Sequence, residues 1–119
     1  MDLMQWIILI LFIAFIWSRF MPVKGVSNIS VQEAKDKFKD ANVQFIDVRT
    51  PMEYRANHVK PFINIPLSNL TSQLHALDKE KEVVVICQSG MRSMKAAKLL
   101  KKQGFQKICN VRGGMSAWH

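Results

Sequence analysis

The chain has 119 residues, 17 Lys plus Arg against 9 Asp plus Glu, a formal net charge of +8 and two cysteines. That length holds one domain with a modest core plus a short appendage, and two cysteines exclude a disulfide-stapled scaffold. The basic excess lies after Met21 without interleaved aromatics or a nucleic-acid motif, so anionic lipid or small anions are the expected partners rather than nucleic acid.

Leu3 to Trp17 is almost wholly apolar, broken only by Gln5. As a helix it rises about 22 Å, short of a hydrocarbon core of roughly 30 Å. Continuing to Met21 gives about 28 Å and leaves Arg19 near the end, where its side chain can snorkel. Trp6 and Trp17 suit the two interfaces. Asp2 stands in place of a basic leader, and Ser18-Arg19-Phe20-Met21-Pro22 offers no small-residue cleavage site, which argues against a removed signal peptide. The sequence therefore predicts a transmembrane anchor over residues 1–22, in contact with the bilayer through Leu3 to Met21, a linker over 23–28 and a folded domain over 29–119. Arg19, Lys24, Lys35, Lys37 and Lys39 follow the run and only Met1 and Asp2 precede it. The positive-inside rule then puts the domain on the cytoplasmic side of the inner or plasma membrane. A fragment starting near Ser27 is expected to fold by itself.

Within the domain, Ser30 and Glu33 form a capping-box pattern opening a helix from Val31 to about Lys39. Val43 to Val48 reads as a strand, and Thr50, Pro51 and Glu53 as N-cap, N1 and N3 of a short helix. Phe62 to Ile65 reads as a short strand ended by Pro66. Leu70, Leu74 and Leu77 mark the buried stripe of a helix capped by Ser68. Val83 to Ile86 is a continuous β-branched run, the pattern of a central parallel strand buried on both faces. A helix over Met94 to Gln103, closed by Gly104, and a strand over Lys107 to Val111 complete the series. Strands alternating with helices predict an α/β domain with a parallel sheet.

Cys87 ends the central strand, where open α/β sheets place their ligands. Gly90 gives the next loop freedom to turn its N–H groups inward, and Arg92 and Ser93 lead into a helix. Loop amides, a helix start and a guanidinium all favour a thiolate. Cys87 is therefore read as a nucleophile rather than as a small buried hydrophobe.

At these residues the sequence resembles the rhodanese family, specifically its single-domain sulfurtransferases. Cys87-Gln88-Ser89-Gly90-Met91-Arg92-Ser93 matches the family's Cys-x-x-Gly-x-Arg-Ser loop. Asp47-Val48-Arg49, Glu53-Tyr54, Asn57-His58-Val59 and Asn64-Ile65-Pro66 look like its upstream signature, and Gly113-Gly114-Met115-Ser116-Ala117-Trp118 like its C-terminal ending. The resemblance implies a rhodanese-like parallel sheet flanked by helices. It implies that Cys87 takes sulfane sulfur from thiosulfate or a thiol persulfide and passes it to a thiol or cyanide. Gln88, Ser89, Gly90, Met91, Arg92 and Ser93 would bind substrate, with Arg92 on an anionic donor. No cofactor and no metal is implied.

Two other classes fit parts of the pattern. One is a non-catalytic rhodanese-like binding module, which typically lacks the loop cysteine. The other is a Cys-dependent phosphatase or arsenate reductase, whose loops hold five residues between Cys and Arg where this one holds Gln88, Ser89, Gly90 and Met91. Asp47 and Arg49 are expected to organise loops, His58 to be structural, and Cys109 to be a core residue. Asn57 stands where the family usually has Gly, and Pro61-Phe62 where it usually has Gly-Ala. Those departures leave the far wall of the pocket and the donor open.

Overall fold

The computed structural model describes residues 2–20 and 25–118, without the side chains of 19 and 20. Helix α1 runs over Leu3–Phe20. Asp2 and Gln5 cap it reciprocally: the Gln5 amide donates to Asp2 Oδ1 at 2.9 Å and the Asp2 amide to Gln5 Oε1 at 3.1 Å. The one polar break in the apolar run is thus half of a capping box. Leu3, Ile8, Leu11, Phe12, Phe15 and Trp17 all stand exposed on it. Among the described residues, no helix is long and apolar enough to cross a membrane. The expected transmembrane helix is therefore not shown; α1 rises only about 27 Å over Leu3–Phe20. The snorkelling of Arg19, the end of the anchor at 21–22 and the start of the linker at 23–24 lie outside the described side chains or residues.

The domain is an α/β layer structure around one five-stranded sheet in the order β1-β5-β4-β2-β3. Its strands are β1 (Val26–Ile29), β2 (Val43–Asp47), β3 (Ile63–Asn64), β4 (Glu82–Ile86) and β5 (Ile108–Val111), and every pairing is parallel. The helices are α2 (Val31–Asp36), α3 (Pro51–Ala56) and α4 (Met91–Lys102). Both predicted capping boxes form, Ser30 with Glu33 and Thr50 with Glu53.

Central strand β4 is buried throughout and alternates between two cores. Val83 and Val85 pack with Ile46, Leu70, Ala96, Ala97, Leu100 and Ile108 on the α4 side. Val84 and Ile86 pack with Ile29, Ala34, Phe45, Phe62 and Cys109 on the other. Phe38, Phe45, Phe62 and Trp118 form an aromatic cluster there, with Phe38 and Trp118 stacked at 5.9 Å. Phe62 thus fills the core rather than walling the pocket, and Tyr54 Oη donates to its carbonyl at 2.6 Å. Glu82 begins β4 as a buried carboxylate between Lys37 and Lys107, each at 2.9 Å.

Four expectations need correction. Part of the segment read as linker is edge strand β1, whose Val26 and Ile29 are buried. Helix α2 ends at Asp36, its last residues unwinding into a turn. The leucine stripe is buried as expected at Leu70 and Leu77, but these flank two 3₁₀ segments, Leu67–Asn69 and Thr71–Ala76, which replace the single helix and have no side-chain cap. Non-helical Gln73 interrupts the second segment. Helix α4 begins at Met91, three residues early, because Gly90 at φ +103° already turns the chain into it.

A start at Ser27 removes the buried Val26 and part of an edge strand. A fragment starting at residue 25 should melt cooperatively, and one starting at residue 30 should melt at least about 12 °C lower. Losing two buried aliphatics costs about 3 kcal/mol or more, and each kcal/mol shifts Tm by about 4–8 °C in a domain this size. Circular dichroism melts of the two fragments check this; equal Tm values would make β1 dispensable.

Candidate active site

Cys87 follows the last residue of β4 and lies wholly buried, at 0% exposure. The Gly90 amide donates to its Sγ at 2.9 Å, and Ser93 Oγ lies 3.3 Å away. Burial alone pushes the thiol up. The Ser93 hydroxyl and the backbone N–H groups of Ser93, Gly90 and Ser89 outweigh it and hold the thiol below its ordinary range. The left-handed Gly90 makes this possible, since it lets the loop curl around the sulfur before α4 starts. Cys109 has the opposite setting, with burial and the Glu82 charge pushing its thiol up.

Ser93 Oγ has one proton and three acceptors around it. Besides the sulfur it meets Gly90 O at 3.1 Å and Asn110 Oδ1 on β5. Asn110 is held in turn by its Nδ2, which donates to Asn28 Oδ1 on β1 at 3.1 Å. When the sulfur carries its own proton it can donate to Ser93, whose proton then goes to Asn110 or Gly90. When the sulfur is anionic the hydroxyl turns to it, because a charge-assisted bond is roughly twice as strong as a neutral one. Ser93→Ala removes that donor, so the pH midpoint of Cys87 alkylation should move upward and alkylation at neutral pH should slow. An unchanged pH profile by mass-resolved alkylation would mean that the loop amides suffice.

Arg92 does not point its charge at the sulfur alone. Its two terminal nitrogens bond both carboxylate oxygens of Glu53, at 2.7 and 2.9 Å. This bond to Arg92 pulls Glu53 down to about 2, so the pair stays intact throughout the range where thiols titrate. The guanidinium expected to meet an anionic donor is therefore largely neutralised by Glu53 and spans the gap from α4 to α3. A second, buried pair sits behind the loop. Arg49 Nη2 bonds Asp47 Oδ2 at 2.8 Å and the Asn57 carbonyl at 2.6 Å, tying the α3 turn to the end of β2. Asn64 Nδ2 donates to the Asp47 and Arg49 carbonyls. Asp47 and Arg49 thus organise loops, as expected. His58 stacks on Tyr54 at 4.1 Å and contacts its carbonyl through Nδ1.

The loop's outer side is fixed by the C-terminal 3₁₀ turn, Gly114–Ala117. The Met115 amide donates to Cys87 O at 2.8 Å and the Ser116 amide to Gln88 O at 3.0 Å. Ser116 Oγ adds a bond to Gln88 O, and Gln88 Nε2 donates to Ser116 Oγ at 3.3 Å. With those carbonyls drawn outward, the loop N–H groups are left facing the sulfur. Of the expected site residues, Cys87, Gly90 and Ser93 gather at the sulfur, with the Ser89 amide. Gln88 and Met91 lie exposed on the rim. Asn110, Asn28, Ser116 and the pairing of Glu53 with Arg92 were not anticipated. Asn110 had a sequence signal, a polar residue inside the apolar strand Ile108–Val111.

The fold and this site together define a parallel α/β domain that presents, from a strand-to-helix loop, a cysteine whose thiol is held below its ordinary range. The rhodanese-like domain family matches residues 30–119, and the chain belongs to it. YtwF of Bacillus subtilis is 39% identical over 98 residues, covering 82% of this chain and 92% of that protein. A sulfurtransferase of Allochromatium vinosum is 30% identical over 94 residues, covering 78% and 88% respectively. YrkF of B. subtilis is 37% identical over 95 residues, but this chain spans only 51% of its length. Among solved structures, a rhodanese-like domain protein of Staphylococcus aureus superposes with a TM-score of 0.72 at 31% identity, covering 78% of this chain and 91% of that one.

Proposed function

We propose that the protein is a sulfurtransferase working through a persulfide on Cys87, tethered to the inner or plasma membrane by α1 with its domain in the cytoplasm. In the first step the Cys87 thiolate attacks the outer sulfur of thiosulfate or of a thiol persulfide. A new S–S bond forms at Sγ, and the old one breaks with its electron pair leaving on sulfite or the donor thiolate. In the second step an acceptor thiolate or cyanide attacks the outer sulfur and regenerates the Cys87 thiolate. No net oxidant or reductant is needed. The loop amides stabilise anionic sulfur in both resting forms.

The observation that carries this reading is the Gly90 N–H at 2.9 Å from a sulfur that also has Ser93 Oγ beside it. A relative named a sulfurtransferase adds support. Because Glu53 already balances Arg92, a thiol persulfide fits the rim as well as thiosulfate does. The experiment is to incubate the protein with each donor, alkylate without reductant and digest for mass spectrometry. The Cys87 peptide should gain one sulfur, removable by cyanide or a thiol. An unmodified peptide with both donors would point instead to a binding module, and cysteine-dependent release of phosphate from an aryl phosphate to a phosphatase.

Support for the tether comes from the exposed apolar side chains all around α1 and the basic residues that follow it in sequence. Full-length protein should sediment with membranes and resist high-salt washing. In intact spheroplasts, protease added outside should leave the domain uncut. Release by salt overturns the span, and outside digestion overturns the orientation.

A further inference from the structure

Beyond α1, the exposed large apolar side chains among the described residues are Met52, Ile63 and Met91. Two of these flank the site. Met52, 74% exposed, precedes Glu53, and Met91, 79% exposed, precedes Arg92. The Glu53–Arg92 pair joins those two positions across α3 and α4. From there a groove of about 410 Å³ follows α4, lined by Met91, Arg92, Met94, Lys95 and Lys98. Positions 91, 95, 98 and 102 recur at four- and three-residue spacing, so they share one helix face. Helix α4 carries no acidic residue. Among the described residues, no carboxylate lies in ion-pair range of Lys95, Lys98 or Lys102.

An apolar floor of flexible methionines adapts to varied partner shapes. A rim of unmatched ammonium groups asks for carboxylates opposite it. The groove begins at Met91 and Arg92, which follow directly on the loop that holds Cys87, and Cys87 has 0% exposure, so an acceptor must reach in with a thin arm such as a cysteine side chain. We infer that this face docks the sulfur acceptor, and that the acceptor is a polypeptide whose thiol-bearing segment is flanked by acidic and apolar residues. The purpose of the docking rests on the persulfide chemistry proposed above; the binding itself does not. An anionic lipid surface would also satisfy the lysines, yet it has no use for an apolar groove that starts beside the Cys87 loop.

The test uses the full chain in neutral detergent with Cys87 preloaded with sulfur. The probes are short synthetic peptides carrying one Cys among Asp, Glu and Leu, or among Lys and Leu. Transfer to the acidic peptide should be at least about tenfold faster, and the advantage should shrink as salt screens it. The double variant Lys95→Glu with Lys98→Glu should reverse the preference while transfer to neutral mercaptoethanol stays within about twofold, since neither lysine touches the sulfur. Equal use of the two peptides, or an unchanged preference in the double variant, overturns the inference. So does a double variant that loses only its binding to phosphatidylglycerol vesicles, which would make the face a lipid contact. If Cys87 takes up no sulfur, the persulfide reading fails alone. Fluorescence anisotropy with Cys→Ser peptides then decides the docking, by the same acidic preference and its reversal.

Discussion

Cys87→Ser should lower sulfur transfer by at least about a thousandfold, whereas Cys109→Ser should leave it within about threefold. The two cysteines differ in what surrounds them, not in how deeply they lie. Both are buried, yet one accepts an amide at 2.9 Å, while burial and the Glu82 charge push the other up against the weaker pull of Lys37 and Lys107. A serine at 87 nearly keeps the volume and can keep the hydrogen bonds, but its hydroxyl is far less acidic than a thiol and so a much poorer nucleophile. The fold should survive, because β4 and the loop carbonyls keep their partners. Steady-state turnover with thiosulfate and cyanide, beside melting curves for both variants, makes the comparison. Full activity in the Cys87 variant, or its loss in the Cys109 variant, would move the chemistry off this loop.

The second large effect is expected at a residue that never meets substrate. Gly114 has φ +55°, and a Cβ there would lie 2.2 Å from Cys87 O and 2.9 Å from the Gln88 carbonyl carbon. The obstacle is backbone, which no rotamer change can move aside. Gly114→Ala must therefore displace either the C-terminal turn or the catalytic loop. Turnover should fall at least about tenfold and stability by about 1–3 kcal/mol, the usual cost of overpacking. The alkylation midpoint of Cys87 should rise as well, because a displaced loop no longer aims its amides. A variant with wild-type turnover and an unshifted midpoint would show that the turn and the loop move independently.

Much of this was legible because the decisive features are local. The run Val83–Ile86 could only be a strand buried on both faces, and a cysteine at its end followed by glycine and a helix start fixed the candidate nucleophile. Ser30 with Glu33, and Thr50 with Pro51 and Glu53, carry their caps within a spacing of three residues. Edge strand β1 was hidden because Val-Ser-Asn-Ile is short and its pairing with β5 reaches across most of the chain. The Leu70 and Leu77 positions announced burial, but periodicity does not distinguish one helix from two 3₁₀ segments. Arg92 and Glu53 are 39 residues apart, and Ser93 and Asn110 are 17 apart. Neither pair leaves a mark on local sequence, so the charge of Arg92 looked free when it is not.

The clasp between the Gly114–Ala117 turn and the Cys87 and Gln88 carbonyls makes the setting of the thiol depend on distant parts of the chain. Those bonds join the loop to residues more than two dozen positions later in the chain, and the Ser93 hydroxyl looks to Asn110 on β5 for its other partner. The groups that lower the Cys87 thiol, on Ser93, Gly90 and Ser89, belong to the loop and the start of α4, while β5 and the C-terminal turn hold that loop in place. The motif supplies the donors, and distant segments keep them aimed.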